Sequence, residues 1–557
     1  MKQNIINKKS RFITTLLLLG FSSSLLAQTP RDAYKYSQND YIGSARTFAM
    51  GNAFTALGGD LGSININPAG SATAGFSQVT VSPGFNISES STKGFWENAN
   101  SYTQDDESHS TFRLPNVGFV MDFQLKNDIL SGLSIGFVSN ITNDFSEKSY
   151  AFGTNRNSSF LSALAQAAGD RKISNSLFNQ SDCFDQAPLD LCLAYRTGMI
   201  SNITGEDKKY RAVTEDAIDN GDGTYDIMLK NGGGLNQNWG RHIDGSKNDY
   251  VFNVGFNFSK KFFFGVNVGI TDINYEYEDF FKESAIDPSK YNCEYTIDGN
   301  TYNTRWKSAK YGYQITTNGT GVYGKFGFIY TPTQYLRVGA AIQTPTYVNY
   351  KEKYRSYAIN NFDNSMFGGS EDSPTYHNKF SIENPMRANF GIAGIIGKFC
   401  VISVDYECSP YDKMEFNSDE LNNDEWKYLN DEISKTYTIG HNLRIGTEFN
   451  IANTLFARAG YNLLTDPFVF TAANGESSQD ISNIGKFGRH TVSVGLGYSS
   501  KNSFFADFAL AAKFSPSEYF YPYDDIHDIS GTVVVQAPEL LVEKMLWTSV
   551  LTLGWRF

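Results

Sequence analysis

The sequence predicts an all-β membrane protein, an antiparallel transmembrane β-barrel of about 14 strands with long extracellular loops. Three observations predict it. Segments of about ten residues alternate strictly between apolar and polar positions, the period of a strand whose faces meet different media. The connections between these segments alternate between short and long. A secretory leader precedes them all.

The leader is residues 1–27. Lys2, Lys8, Lys9 and Arg11 form a basic start, 12–21 is a short apolar run, and 22–27 is rich in small residues, so cleavage after Ala27 leaves Gln28 first. The run is too short to span a bilayer as a helix. No Cys stands at the cleavage point to accept a lipid. Removing the leader takes four cations from a chain of net charge −12 and leaves −16, which argues against a nucleic-acid partner. No later stretch has 18 consecutive apolar residues, so helical spans are excluded. With 43 Phe, 33 Tyr and 49 Gly, the composition suits aromatic girdles and close strand packing.

The last segment shows the alternation most plainly. Trp547, Ser549, Leu551, Leu553, Trp555 and Phe557 share one face, and Thr548, Val550, Thr552, Gly554 and Arg556 the other. Similar segments fall near 77–88, 115–125, 131–141, 249–258, 262–273, 320–331, 335–345, 385–396, 399–408, 438–450, 454–463, 488–499 and 503–514. With the last, this makes an even count, as single-chain bacterial barrels require. Connections at 126–130, 259–261, 332–334, 397–398, 451–453 and 500–502 are short, whereas 142–248, 274–319, 346–384, 409–437 and 515–545 are long. Short periplasmic turns and long external loops are the asymmetry of an outer-membrane barrel, and closure leaves no unpaired edge in hydrocarbon.

Residues 28–76 precede the first strand without alternating. Ala49, Met50, Ala53, Phe54, Ala56 and Leu57 make them apolar enough to pack inside the barrel mouth. In the long connection 142–248, Phe160, Leu161 and Leu164 have helical spacing and are candidate positions for apolar capture; Leu189, Leu193 and Ile200 mark a second helix. Cys183 and Cys192 are a candidate disulfide there, while Cys400 and Cys408 are held apart by a strand.

The inward positions carry Lys325, Arg337, Arg387, Arg444 and Arg458 with Asp405, Glu407, Glu448 and Asp507. Bracing of the lumen by ion pairs is favoured over ligand binding, since buried charges must pair wherever they sit. Catalytic chemistry is not visible. The run 319–324 has dinucleotide-fingerprint letters, but a strand follows where a helix is required. The run 219–224 lacks the ligand series of a calcium loop, and the six His are scattered. No enzyme, metal or cofactor is expected.

Several stretches together resemble a known family. Gly43 to Asp60, with Gly51 and the pair Gly58-Gly59, is followed by Asn67-Pro68-Ala69-Gly70. Tyr323 to Thr333, Leu336-Arg337-Val338-Gly339 and Thr344-Pro345-Thr346 continue it. Asn442 to Glu448, Arg458-Ala459-Gly460-Tyr461 and Arg489 to Gly495 complete it. In this order they resemble the FadL/TodX family of outer-membrane channels for hydrophobic molecules. The resemblance implies a 14-stranded barrel (77–557) plugged by an N-terminal hatch (28–76), in which Gly51, Asn67, Pro68 and Ala69 carry the hatch motif. It implies energy-independent uptake of long-chain fatty acids or similar ligands into the outer membrane of a Gram-negative bacterium. It also implies sideways release into lipid beside strand 131–141, where Gly132 and Gly136 are candidates for the deformation. Implied partners are outer-membrane lipid, the hydrophobic ligand and, through the C-terminal strand, the barrel-assembly machinery. Barrels resembling this family also serve as non-transporting scaffolds or in delivery of surface proteins, which stands as the alternative.

Overall fold

A computed structural model describes residues 28–97, 101–221, 225–230, 232–297, 300–417, 423–471, 477–478, 488–500, 503–528 and 531–557. The expected leader, 1–27, and part of the 219–224 turn lie outside the described residues. The wall consists of β1 (Gln78–Phe95), β2 (Thr103–Gln124), β3 (Leu130–Asp144, continued by Glu147–Asn155), β4 (Leu235–Phe258), β5 (Phe262–Ala285) and β6 (Asn300–Thr333). Next come β7 (Leu336–Gln343 and Thr346–Phe362), β8 (Tyr376–Asn384 and Arg387–Ile396), β9 (Cys400–Pro410) and β10 (Ile439–Ala452). It ends with β11 (Leu455–Leu464), β12 (Arg489–Ser499), β13 (Phe504–Phe514) and β14 (Glu539–Arg556). Each pairs antiparallel with the next, and β14 closes on β1 from Gln78↔Arg556 to Phe95↔Glu539. The 14 strands close a barrel, as the alternation and the connection lengths predict.

The strands are longer at their outer ends than the alternation indicates, so the connection 142–248 shrinks to 156–234 and much of 274–319 is wall. The reason is visible along β5. Its outward face runs Phe262, Phe264, Val266, Val268 and Ile270, all well exposed, and then Asp272, Asn274 and Glu276. Its inward face runs Gly265, Asn267, Gly269 and Thr271, and then Ile273 and Tyr275, both buried. Polarity exchanges faces at residue 271 without a change of register. Below it the wall presents apolar groups outward, as a lipid-facing surface must; above it the wall is built like a water-soluble protein. The lipid-facing pattern therefore finds only the lower half of each long strand.

The long connection forms a cap. It holds α1 (Phe160–Asp170) and α2 (Leu189–Arg196), each of which satisfies helical spacing in the sequence. Ile200 is not part of the second helix: Gly198 takes a φ of +74°, ends the helix and starts a short strand at Ile200. The Cys183–Cys192 disulfide is formed, whereas Cys400 and Cys408 are not joined. Phe160, Leu161 and Leu164 are buried with Trp239, Phe281, Trp306, Phe362 and Leu540 from the inner faces of β4, β5, β6, β7 and β14. These three, the expected positions for apolar capture, are turned into the mouth of the barrel. On an amphipathic helix the apolar stripe turns to whatever dry surface is available, here the mouth of the barrel.

Candidate functional site

Residues 28–76 run inside the barrel, and from 41 to 72 they are almost wholly buried. A helix at Pro30–Ser37 and three shorter helical turns, at Ala45–Ala49, Leu61–Asn65 and Pro68–Thr73, give them shape. Ser44 accepts a bond from the Thr47 amide, and Asp60 from the Gly62 amide, so these two turns start with a capped amide. The Asn67 side chain accepts from the Ala69 amide at 3.0 Å and donates to the Thr55 carbonyl at 2.6 Å, which holds Pro68 in place. The segment's own carbonyls are satisfied by the wall. Lys325 donates to Asn65 O at 2.7 Å, Arg337 to Leu57 O at 2.6 Å, Asn267 to Ile64 O at 2.8 Å and Ser493 to Ala49 O at 3.1 Å. Buried main-chain groups that lack intrasegment partners need such donors.

Shape is matched by glycine. A Cβ on Gly265 would lie 2.2 Å from the Pro68 carbonyl carbon, on Gly327 2.0 Å from Asn67 Oδ1, and on Gly339 2.1 Å from Thr55 O. On Gly446 it would lie 2.3 Å from Met50 O, and on Gly460 2.1 Å from the Gly51 amide. These inward glycines on β5, β6, β7, β10 and β11 form a smooth band against which the internal segment is pressed. The sequence reading assigns glycine to strand packing, to the hatch motif at Gly51 and to the deformation at Gly132 and Gly136, and misses this band. The available signal was a mid-strand Gly on the inward face of successive strands.

The inward charges form two chains. Glu407 accepts from Arg387 at 3.0 Å and from Arg444 at 2.6 Å. Glu448 accepts from Arg46 of the internal segment at 2.8 Å and from Arg458 at 2.6 Å, and Arg458 reaches Asp507 at 2.6 Å. Asp405 accepts from the Thr55 amide at 2.6 Å. Arg387, Arg444, Arg458, Glu407 and Glu448 are thus joined in ion pairs. Lys325 and Arg337 instead serve the carbonyls of the internal segment.

At Gly132 and Gly136 the wall is paired. Gly136 faces inward, opposite Val120 on β2 and Asn253 on β4. Close by, Leu61 and Ile64 of the internal segment pack on Val120, Val138 and Val251. The pairing of β2 with β3 ends at Asn116↔Asn140. Above that point β2 pairs with β1, β3 pairs with β4 across a register shift at Ile141/Asn143, and Arg113 ties the two halves through Asp144 at 2.8 Å.

A narrow cleft with about 30 Å³ of room, partly open to solvent, lies between the internal segment and β10–β14. Ile42, Phe48, Leu464, Ala511 and Leu546 give it an apolar side, and Asp40, Arg489, Lys513, Asn462 and Thr548 a polar one. Lys513 donates to Asp40 at 2.8 Å, and Arg489 stands 3.3 Å from it. Burial opposes ionisation of Asp40, but Arg489 and Lys513 outweigh it and hold the carboxyl down at about 2. Among the described residues no cluster of His, Cys, Asp and Glu could hold a metal ion.

These features define a class: an integral membrane β-barrel whose lumen is filled by its own N-terminal segment and whose outer mouth is capped. No family model matches the chain, and no curated protein does. Among solved structures it is similar to a Pseudomonas aeruginosa FadL homologue, 10% identical, over 92% of this chain and 98% of that one, with a TM-score of 0.46. The P. putida toluene transporter TodX is 13% identical over 93% and 99%, with a TM-score of 0.44. The CymD monoaromatic hydrocarbon channel is 10% identical over 92% and 98%, with a TM-score of 0.42.

Proposed function

We propose that the protein is an outer-membrane channel of a Gram-negative bacterium for energy-independent uptake of hydrophobic molecules such as long-chain fatty acids, with lateral release into the membrane. The observation that carries this reading is the cleft between plug and wall, apolar along one side and charged on the other. Each buried CH2 contributes about 0.8 kcal/mol, so apolar surface beside the plug favours a hydrophobic ligand over a polar one. Release into water forfeits that gain and release into lipid does not. The seam beside β3 suits the exit, because β2 and β3 stop pairing at Asn116↔Asn140 and an apolar plug contact lies just below. The plug is held by non-covalent contacts, namely hydrogen bonds, apolar packing and the ion pairs of Asp40 and Arg46, and such contacts can yield without an ion gradient or nucleotide.

Two variants test it in cells, with surface level and heat-modifiable folding as controls. A Cβ at Gly136 meets Phe119 O at 3.0 Å and Val120 Cγ2 at 3.3 Å, so Gly136→Leu crowds the seam from inside. It is expected to lower uptake of labelled oleate. Deleting residues 28–60 is expected to leave a leaky, unselective pore. Normal assembly of Gly136→Leu with unchanged uptake contradicts the lateral route. A parent protein that takes up neither fatty acid nor small aromatic, and carries no lipid through purification, contradicts the channel reading and leaves a scaffold role.

A further inference from the structure

The outside of the wall carries a cationic patch on β7 and β8. Lys351, Lys353 and Arg355 follow one another at alternate positions on the outward face of β7, and all three are exposed. Across the ladder on β8, Lys379 stands directly opposite Lys351 and His377 directly opposite Lys353, both exposed as well. On the other side, β6 sets Asn318, Thr316 and Gln314 opposite the same three β7 positions. Arg355 donates to Gln314 at 2.8 Å and stands 3.8 Å from Asp372. Lys351 and Lys353 make no ion pair among the described residues. Their cross-strand neighbours are an amide, a hydroxyl, an imidazole and another lysine, and lysine opposite lysine is an unfavourable pair. The described acids around the patch lie at its margins: Glu276 and Glu278 on β5, Asp372 above, and Glu383 and Glu415 below Lys379. Acidic residues outnumber basic ones in the chain, 59 to 47, so this grouping of cations runs against the composition.

Its height on the wall is set by register. Ile270 on β5 pairs with Val322 on β6, and Val322 with Tyr347 on β7, so Tyr347 belongs to the row at which polarity exchanges faces. Tyr347 is 57% exposed, and below it the outward side chains are Ile342 and Val338 on β7 and Phe390 and Ile392 on β8, the lipid-facing belt. Lys351 is four residues above Tyr347, about 13 Å along the strand and about 10 Å in height at a usual barrel tilt. A lysine stem laid down the wall brings its ammonium to the headgroup layer, which adds about 5–8 Å to each side of the hydrocarbon.

We propose that Lys351 and Lys353 bind the phosphate groups of the outer-leaflet lipid, the phosphorylated glycolipid of a Gram-negative outer membrane, and hold one such headgroup against the β7–β8 sector. The inference takes the outer-membrane location from the reading above and does not depend on what the barrel carries. The two ammonium groups donate to the phosphate oxygens, and the anion offsets the crowding of positive charge across the ladder. The acyl chains of the same molecule lie on Tyr347, Ile342, Phe390 and Ile392. Free phosphate offers the same oxygens without the chains, so it gains nothing from the belt. A second lysine pair, Lys282 opposite Lys310, supplies a control within the molecule. It stands twelve residues above the Ile270–Val322 row, far beyond the headgroups, and Lys310 lies over the Phe280 and Tyr357 rings.

The test uses the full-length protein in nonionic detergent, with lipid A carrying both phosphates, or the same lipid stripped of them, added to the micelles. Bound lipid is counted by native mass spectrometry. The parent is expected to bind the phosphorylated form on the order of tenfold more tightly than the stripped form, and Lys351→Gln/Lys353→Gln is expected to lose that preference. Lys351→Arg/Lys353→Arg is expected to keep it, and so is Lys282→Gln/Lys310→Gln. Equal binding of the two lipid forms by the parent overturns the proposal, as does an undiminished preference in Lys351→Gln/Lys353→Gln. If inorganic phosphate at equal concentration abolishes the preference, the site serves a free anion and the lipid assignment is overturned. Heat-modifiable mobility checks folding, and should the double Gln variant misfold, the parent's comparison of the two lipid forms still decides. Uptake plays no part in the readout, so failure of the channel reading and failure of this site are told apart.

Discussion

Gly460 on β11 and Gly51 of the plug touch through their backbones: a Cβ on Gly460 would lie 2.1 Å from the Gly51 amide nitrogen. Gly51 itself has φ +60°, so neither position has room for a side chain. The contact ties two halves of one explanation. The wall is smooth where the plug passes, and the plug is shaped to be pressed against it.

Gly460→Ala is therefore expected to shift the plug while sparing the strand pairing. A clash of this kind in a packed interior costs about 1–3 kcal/mol. The expected outcome is a lower midpoint for the heat-induced gel shift and a rise in single-channel conductance in planar bilayers. An unchanged midpoint with a silent bilayer contradicts the steric role.

Glu407 lies between two buried guanidinium groups, Arg387 and Arg444. Glu407→Gln leaves both cations buried without a counter-charge, which is expected to destabilise the barrel by about 3–5 kcal/mol. Replacing all three by Met, Leu and Met removes the charges together and is expected to cost much less. Urea titration in detergent micelles compares them; equal losses contradict the bracing role.

The Cys183–Cys192 bond closes a small loop in the cap, whose core is shared with the mouth of the barrel. Cys192→Ser is expected to weaken the cap locally by about 2–4 kcal/mol and to admit protease between 171 and 188. The barrel should keep its heat-modifiable mobility. Cleavage at the same rate in parent and variant contradicts this, and peptide mapping of the unreduced protein checks the pairing itself.

Asp40 gives the plug a defined acid response. Its folded-state value of about 2 lies below the ordinary carboxylate value of about 3.9. Its contribution is full above the ordinary value and is lost as pH falls through that window toward 2. Protection from hydrogen exchange at the Asp40 and Ile42 amides, taken relative to the intrinsic rate at each pH, is expected to fall over that range in the parent. In Asp40→Asn it is expected to show no such step. A parent profile as flat as the variant's contradicts the ion pair.

Much of the barrel was legible because hydrocarbon imposes one rule on every strand: apolar out, small or polar in. Leu551 and Trp555 opposite Thr552 and Gly554 state that rule in five residues. The outer halves of the strands escaped it, since above residue 271 of β5 the rule inverts and Ile273 and Tyr275 turn inward. Phe160 was legible as helical but not as buried, because its partners Trp239 and Phe281 lie on strands remote in sequence. Arg387, Glu407 and Arg444 could be placed on the inward face but not joined, since their pairing depends on strand register. Asp40, Arg489 and Lys513 could not be brought together at all, because one comes from the plug and two from the wall.

The central claim is that this plugged barrel passes a hydrophobic molecule without an energy source. It is tested most directly by initial uptake of radiolabelled oleate in cells that lack their own channel, with and without this protein, before and after collapse of the proton gradient. The account predicts saturable uptake that requires the protein and has the same initial rate in both energy states. Uptake no faster than in cells without the protein, at matched surface level, contradicts it.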